Sequence, residues 1–324
     1  METCDGARVN SRKNILDGDL TNCCRVIHGA SDGWPGMYVD RLGDFFLSQS
    51  EFPLRPDEVE LLEQFVAEIP NGGAYHKFLN RQVRRANVEE SCPQHICGAV
   101  APERFTVREN GASYELSFTE GYSVGLFLDQ RENRRRILTK QVAPDFPLPA
   151  SGELLNTFAY TCAFSVCAAK AGFRATSLDL SKKYLDWGRR NFALNQIDPA
   201  AHDFIYGDAF DWMRRLAKKQ RKFDAVILDP PTFSKSKERG VFRAEKDYGQ
   251  LVTAAMPLLA GGGILFASSN AARWEPESFL HDVRGAIRAS GRRVVREHFT
   301  AQPPDFPSSA DEPAYLKTVW LRVS

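Results

Sequence analysis

Long apolar runs are missing. None approaches the roughly 20 residues that a membrane-spanning helix needs, so no membrane segment is expected. Net charge is nearly missing too. The chain sets 42 Lys and Arg against 41 Asp and Glu, a formal +1. That excludes a general polycation and leaves any nucleic-acid contact to local patches. The N-terminus, Met1-Glu2-Thr3-Cys4-Asp5, lacks the basic-then-apolar pattern of a secretory signal. Seven scattered cysteines, an odd number, suit reduced thiols of a cytoplasmic protein better than disulfide staples. Cys92-Pro93-Gln94-His95-Ile96-Cys97 has no second matching pair nearby, so no metal is expected. Repeats, low-complexity tracts and the Gly-x-Gly-x-x-Gly loop that cradles a dinucleotide pyrophosphate are absent as well.

What is present fits an ordinary soluble protein, 43% hydrophobic and 26% charged over 324 residues, with room for a large domain and a smaller one. Residues 1–20 read as a polar, poorly ordered tail, and 21–122 as a small α/β domain. In the latter, Met37–Asp40 and Phe45–Ser48 read as paired strands, and 56–70 carries apolar residues at helical spacing. A basic helix is expected to open at 80–87, and Asn110-Gly111 predicts a hairpin. Residues 143–149 read as a short exposed insertion. From 151 strands and helices alternate, with helices expected at 164–171, 181–195, 210–218, 248–259 and 276–289. Such alternation predicts a doubly wound, Rossmann-like sheet of seven mostly parallel strands within 123–324.

Ligands of such sheets bind at the carboxyl ends of the strands. Three successive strands end in acids there: Asp179, Asp208 and Asp229. Asp179 can accept from both ribose hydroxyls, and Asp208 from an adenine amine, while helix capping is the competing role for each. Asn156 ends the strand before them, and the small Ala159, Ala163 and Ser165 leave space for a ligand without phosphate. A nucleoside gripped by carboxylates, without a phosphate cradle, points to S-adenosyl-L-methionine, whose sulfonium suits an acidic site. Beyond Asp229, Pro230 and Pro231 end the strand and stiffen the loop that carries Phe233.

These segments carry a resemblance. His28-Gly29-x-x-Asp32-Gly33, Gly125–Arg134, Asn156–Val166, Leu178-Asp179-Leu180-Ser181, Asp229-Pro230-Pro231-Thr232-Phe233 and Tyr315-Leu316-Lys317 resemble S-adenosylmethionine-dependent ribosomal RNA large-subunit methyltransferases of the Asp-Pro-Pro-x-Phe type. The resemblance implies a class I methyltransferase domain. It places Phe127, Asp129, Gln130, Arg131, Phe158, Tyr160, Thr161, Leu180, Ser181 and Ala209 at the cofactor alongside the residues already named. Read alone, Asp129–Arg136 has a solvated helix face as its alternative. Cys162 and Ala163 stand where relatives carry glycine, and both are small enough for binding to survive. Relatives also commonly begin with a PUA-type RNA-binding domain, for which the twenty or so residues before the His-Gly motif leave no room.

Relatives that make 5-methylcytosine use a cysteine after the fifth strand, where this chain has Ser268-Ser269-Asn270. Carbon-5 chemistry needs such a thiolate and is disfavoured. The loop and Asn270 instead resemble the branch that methylates guanine N7. Asp229 and the Pro230 carbonyl would position the purine, Phe233 would stack on it or pack in the core, and Asn270 would orient it. Ribosomal RNA is then the expected partner, met by basic clusters such as Lys77–Arg85 and Lys235, Lys237 and Arg239. A protein or small-molecule substrate, or a non-catalytic assembly role, are the rival readings. A homodimer is left open.

Overall fold

The computed structural model describes Arg12 and residues 15–79, 91–121, 123–236 and 240–324. Most of the expected tail and the basic stretch near 80–87 lie outside the described residues. Arg12 is buried and pairs with Asp32 at 2.7 Å. The chain divides into two compact units, Met1–Arg131 with Pro303–Ala314, and Glu132–Gln302 with Tyr315–Ser324.

In the first unit, strands β1 (Cys23–His28), β2 (Tyr38–Leu42), β3 (Phe45–Ser50), β4 (Gly73–Phe78) and β5 (Gln94–Gly98) pair in sequential order. Only β3 and β4 run parallel, which demands a crossover. Helix α1 (Pro56–Ala67) supplies it. Pro56 opens this helix, where its missing N–H loses no bond. Leu62 then buries against Ile27, Met37, Val39 and Phe46. Hairpin β6 (Phe105–Glu109) and β7 (Ala112–Leu116) turns on Asn110 and Gly111, at φ 51° and 74°, as a type I′ turn requires. Segment Pro303–Ala314 belongs to this unit through side chains. Asp305 accepts from Arg131 at 2.5 and 2.7 Å and from the Arg25 N–H at 2.9 Å. Glu312 accepts from the Tyr38 hydroxyl at 2.8 Å and the Ala30 N–H at 3.2 Å.

The second unit opens with α2 (Arg131–Leu138), whose first residue closes the first unit, and the hairpin β8 (Gln141–Ala143) and β9 (Phe146–Pro147). There follow β10 (Gly152–Thr157), α3 (Ala163–Lys170), β11 (Phe173–Asp179), α4 (Lys182–Leu194), β12 (Asp203–Tyr206), α5 (Ala209–Lys218) and β13 (Phe223–Leu228). A second hairpin, β14 (Phe233–Ser236) and β15 (Gly240–Arg243), leads into α6 (Ala244–Ala255) and β16 (Leu259–Ser269). Helix α7 (Pro276–Ala289), β17 (Val294–Thr300) and β18 (Lys317–Val323) complete it. The sheet order is β12-β11-β10-β13-β16-β18-β17, with β18 alone antiparallel to the rest. This is the expected seven-stranded, mostly parallel architecture. Val226, Ile227 and Leu228 are all buried, as in a strand covered on both faces. Each such side chain contributes about 1.5–3 kcal/mol. Chain order reverses beside β10, which puts the switch-point crevice at the carboxyl ends of β10 and its neighbours.

Two sequence expectations change, and one alternative falls. The helix placed at 248–259 spans Ala244–Ala255 instead, because Pro257 lacks the N–H to continue it, and Leu259 already pairs with Phe223 in the sheet. The insertion at 143–149 is not simply exposed: Phe146 is fully buried, with the Arg296 and Arg322 guanidinium groups 5.5 and 5.4 Å from its ring centre. The arginine run at 131–136 is not a solvated face either. Arg131, Asn133 and Arg134 are buried, and Asn133 accepts from the Trp320 indole at 3.1 Å and the Thr300 hydroxyl at 3.2 Å.

Candidate active site

Between β10 and α3 the chain turns through Phe158, Tyr160 and Cys162, all at positive φ (55°, 50° and 63°). Each left-handed residue costs about 1–3 kcal/mol unless its surroundings hold it. Asp179, at the end of β11, is what holds this turn. Its Oδ2 accepts from the Tyr160 N–H and its Oδ1 from the Ser181 N–H, both at 2.8 Å. Ala159 donates to the Leu178 carbonyl at 3.0 Å. Helix α4 is capped by Ser181, which accepts from the Tyr184 N–H, so the capping role considered for Asp179 falls to its neighbour. Burial pushes the Asp179 carboxyl above its usual range, against the pull of the backbone donors of Tyr160, Ser181 and Leu180. Each carboxylate oxygen accepts more than one hydrogen bond, so both retain capacity for a vicinal diol.

Asp208 takes the role that competed with nucleoside binding. It caps α5, its Oδ1 accepting from Phe210 at 3.0 Å and Asp211 at 3.1 Å. An amine-accepting role would fall to Oδ2, the oxygen outside that cap. Asn156 is buried beneath the turn and donates to Ser165 Oγ at 2.9 Å, to which Ser177 also donates at 2.8 Å. It ties β10 to α3. Thr161 is buried, and its carbonyl accepts from Asn191 at 2.9 Å. Ala163 and Ala209 are buried at the first positions of α3 and α5, and Leu180 is exposed beside Asp179.

At the end of β13, Asp229 is half-buried, Pro230 buried and Pro231 exposed. The loop that follows is the hairpin β14–β15. Phe233 on it is 56% exposed, so the core-packing alternative fails. The hairpin is anchored by Phe242, buried with its ring 6.1 Å from Phe158 and 6.0 Å from Phe210. Lys235 is exposed, while Lys237 and Arg239 lie outside the described residues. Lys77, counted with a basic patch, is buried.

Asn270 is exposed just past β16. Lys317, buried, donates to the carbonyls of Ala271 at 2.7 Å and Tyr315 at 2.8 Å, fixing the chain behind Asn270. Burial lowers its pKa. The sequence reading noted Lys317 only within a matching tripeptide, and it missed Tyr248 altogether. The Tyr248 hydroxyl donates to the Leu228 carbonyl and accepts from the Ser268 N–H, both at 2.8 Å. A tyrosine at helical spacing reads as core, and nothing local marks this one. Cys162 and Cys167 are buried, and burial pushes the Cys162 thiol up to about 12. Neither is placed to serve as a thiolate nucleophile. Among the described residues no group of three His, Cys, Asp or Glu could hold a metal, and no helix is long and apolar enough to cross a membrane. Phe127, Asp129, Gln130 and Arg131 belong to the first unit, around a short 3₁₀ turn at Leu128–Gln130. Phe127 is exposed there, Gln130 is buried, and Arg131 grips Asp305.

The turn and the strand-end acids fit S-adenosylmethionine: both Asp179 oxygens keep acceptor capacity, and small side chains stand in place of a phosphate cradle. Comparison with known proteins agrees. The model of the S-adenosylmethionine-dependent methyltransferase family matches residues 24–322. The ribosomal RNA large subunit methyltransferase of Deinococcus radiodurans is 35% identical over 97% of this chain and 76% of its own length. Ribosomal RNA large subunit methyltransferase I of Pseudoalteromonas atlantica is 30% identical over 97% of this chain and 78% of its own. The crystal structure of SMU.776 complexed with SAH superimposes with a TM-score of 0.84 at 29% identity, covering 97% of this chain and 79% of that one. The chain therefore belongs to the S-adenosylmethionine-dependent methyltransferases, as a relative of those that act under the name of ribosomal RNA large-subunit enzymes, and S-adenosylmethionine is its cofactor.

Proposed function

We propose that this enzyme methylates a guanine ring nitrogen, N7-like, of 23S-type ribosomal RNA by direct displacement, in the cytoplasm. The observation that carries the proposal is Phe233, an aromatic ring more than half exposed on a hairpin rooted in Asp229-Pro230-Pro231. Stacking an extruded base on such a ring is worth about 1–3 kcal/mol. In this reading Asp229 and the Pro230 carbonyl accept from the amine edge of the purine, the two prolines keep them stiff, and Asn270 orients the base. When bound, the cofactor supplies an electrophilic methyl group. The chain's own work is then alignment, and misplacement by about 1 Å can cost ~10²-fold in rate. A ring nitrogen carries its own lone pair and needs no covalent activation, in keeping with the burial of Cys162 and Cys167. The names of the relatives and the exposed Lys235 beside Phe233 support RNA as the substrate.

Radiolabelled methyl transfer to naked large-subunit RNA, intact large subunits and bulk protein tests this. Label in RNA, mapped to a guanine, is expected; label in protein alone refutes it. Asp229→Ala is expected to abolish transfer while circular dichroism and melting show an intact fold. Full activity in that variant would reject the role given to Asp229.

A further inference from the structure

Tyr248, on α6, is fully buried, its ring edge-on to Trp274 and Phe279 at 5.7 and 5.2 Å. Its hydroxyl bonds backbone groups of two neighbouring strands. The parallel register of β13 and β16 ends at Leu228 paired with Ala267. Continuing that ladder would bring the Ser268 N–H directly onto the Leu228 carbonyl. The phenol oxygen bonds both of those groups, at 2.8 Å to each. The phenol thus bridges the two strand ends one residue before Asp229 and two before Asn270. Burial, with the charge of Asp229 adding to it, raises the phenol pKa well above its ordinary value. The group stays protonated and so donates and accepts at once.

We propose that Tyr248 is a positioning residue for methyl transfer, its hydroxyl setting the width of the crevice between the Asp229-Pro230 and Ser269-Asn270 strand ends that receives the target base. The inference rests on the function proposed above. Core packing alone would need no hydroxyl, because phenylalanine fills nearly the same volume. Tyr248→Phe tests the oxygen by itself. The Ser268 N–H and Leu228 carbonyl should then bond directly and narrow the crevice. The expected result is a fall in kcat of about 10²-fold, the scale for a 1 Å misplacement, with the Kd for S-adenosylhomocysteine unchanged. Leu251→Val, on the same helix and buried in the same core, disturbs packing without touching the oxygen and should keep its kcat. Wild-type kcat in Tyr248→Phe, or an equal fall in both variants, overturns the proposal. If the wild-type protein methylates no large-subunit RNA, the functional reading fails instead. The bridge is then judged by a crystal structure of Tyr248→Phe: a direct Ser268–Leu228 bond supports it, and an unchanged separation overturns it.

Discussion

Replacing Asp179 by Asn keeps the shape of the side chain and removes its charge and one acceptor. In the native turn Oδ2 takes the Tyr160 N–H and Oδ1 the Ser181 N–H. An asparagine amide, whichever way it is turned, points its NH₂ at one of those donors. One backbone N–H then loses its acceptor, at about 1–3 kcal/mol. The cofactor loses more. Two ribose bonds to a carboxylate are worth about 1.5–3 kcal/mol each, and a neutral amide oxygen supplies only one, at about 1 kcal/mol. Taking the lower end, binding weakens by about 2 kcal/mol, or ~30-fold in Kd. Isothermal calorimetry with S-adenosylhomocysteine measures this directly, with a thermal melt to show that the second unit remains folded. The pH dependence adds a signature. The Asp179 carboxyl titrates above its ordinary 3.8 because it is buried, and the protonated form gives up an acceptor. Wild-type affinity should therefore fall as pH drops through that raised value, while the variant stays flat. A change in Kd below about threefold, or the same acid dependence in both proteins, would refute the assignment of Asp179 to the ribose.

Two further outcomes concern the first unit. Burial lowers His28 and His76 from 6.5 to about 4, with the Arg25 charge adding to the effect at His28. Between those values the unfolded chain binds more protons than the folded one, so stability present above 6.5 is lost as pH falls toward 4. Urea midpoints should already drop between pH 6.5 and 5, above the range where ordinary carboxylates titrate, and a flat profile there would contradict the burial of both rings. Asp305→Asn deprives a buried guanidinium, Arg131 at 2% exposure, of its counter-charge. The expected loss is about 3–5 kcal/mol in denaturant unfolding, recovered in part by Asp305→Leu with Arg131→Met, which still removes the acceptor of the Arg25 N–H; a loss under about 1 kcal/mol would show that the pair is not desolvated.

The sheet was legible because parallel strands buried on both faces leave short apolar runs, such as Val226–Leu228, bounded by acids and prolines. Asp179 was legible as a strand-end acid, and Ser181 as a cap. Harder to see was which strand-end acid would cap: Asp208 and Asp179 occupy similar sequence positions, and only the left-handed turn at Tyr160 directs Asp179 away from α4. Phe146 looked exposed because its neighbours are prolines and acids. It is covered by arginines from β17 and β18, more than a hundred residues later. Tyr248 and Asp305 left no signal for the same reason. Their partners are fixed by tertiary placement, across 280 residues for Asp305 and Arg25, and no local period encodes that.

The polypeptide passes between its two units after Arg131, after Gln302 and again after Ala314. Neither unit is a contiguous stretch of gene. Truncation after Arg131 discards Asp305 and Glu312 from the front half. A fragment cut as Glu132–Gln302 leaves behind β18, the strand that joins β16 to β17. Recombination cannot lift out either half as a cassette, and a ribosome must translate past Ala314 before the front half acquires its last pieces.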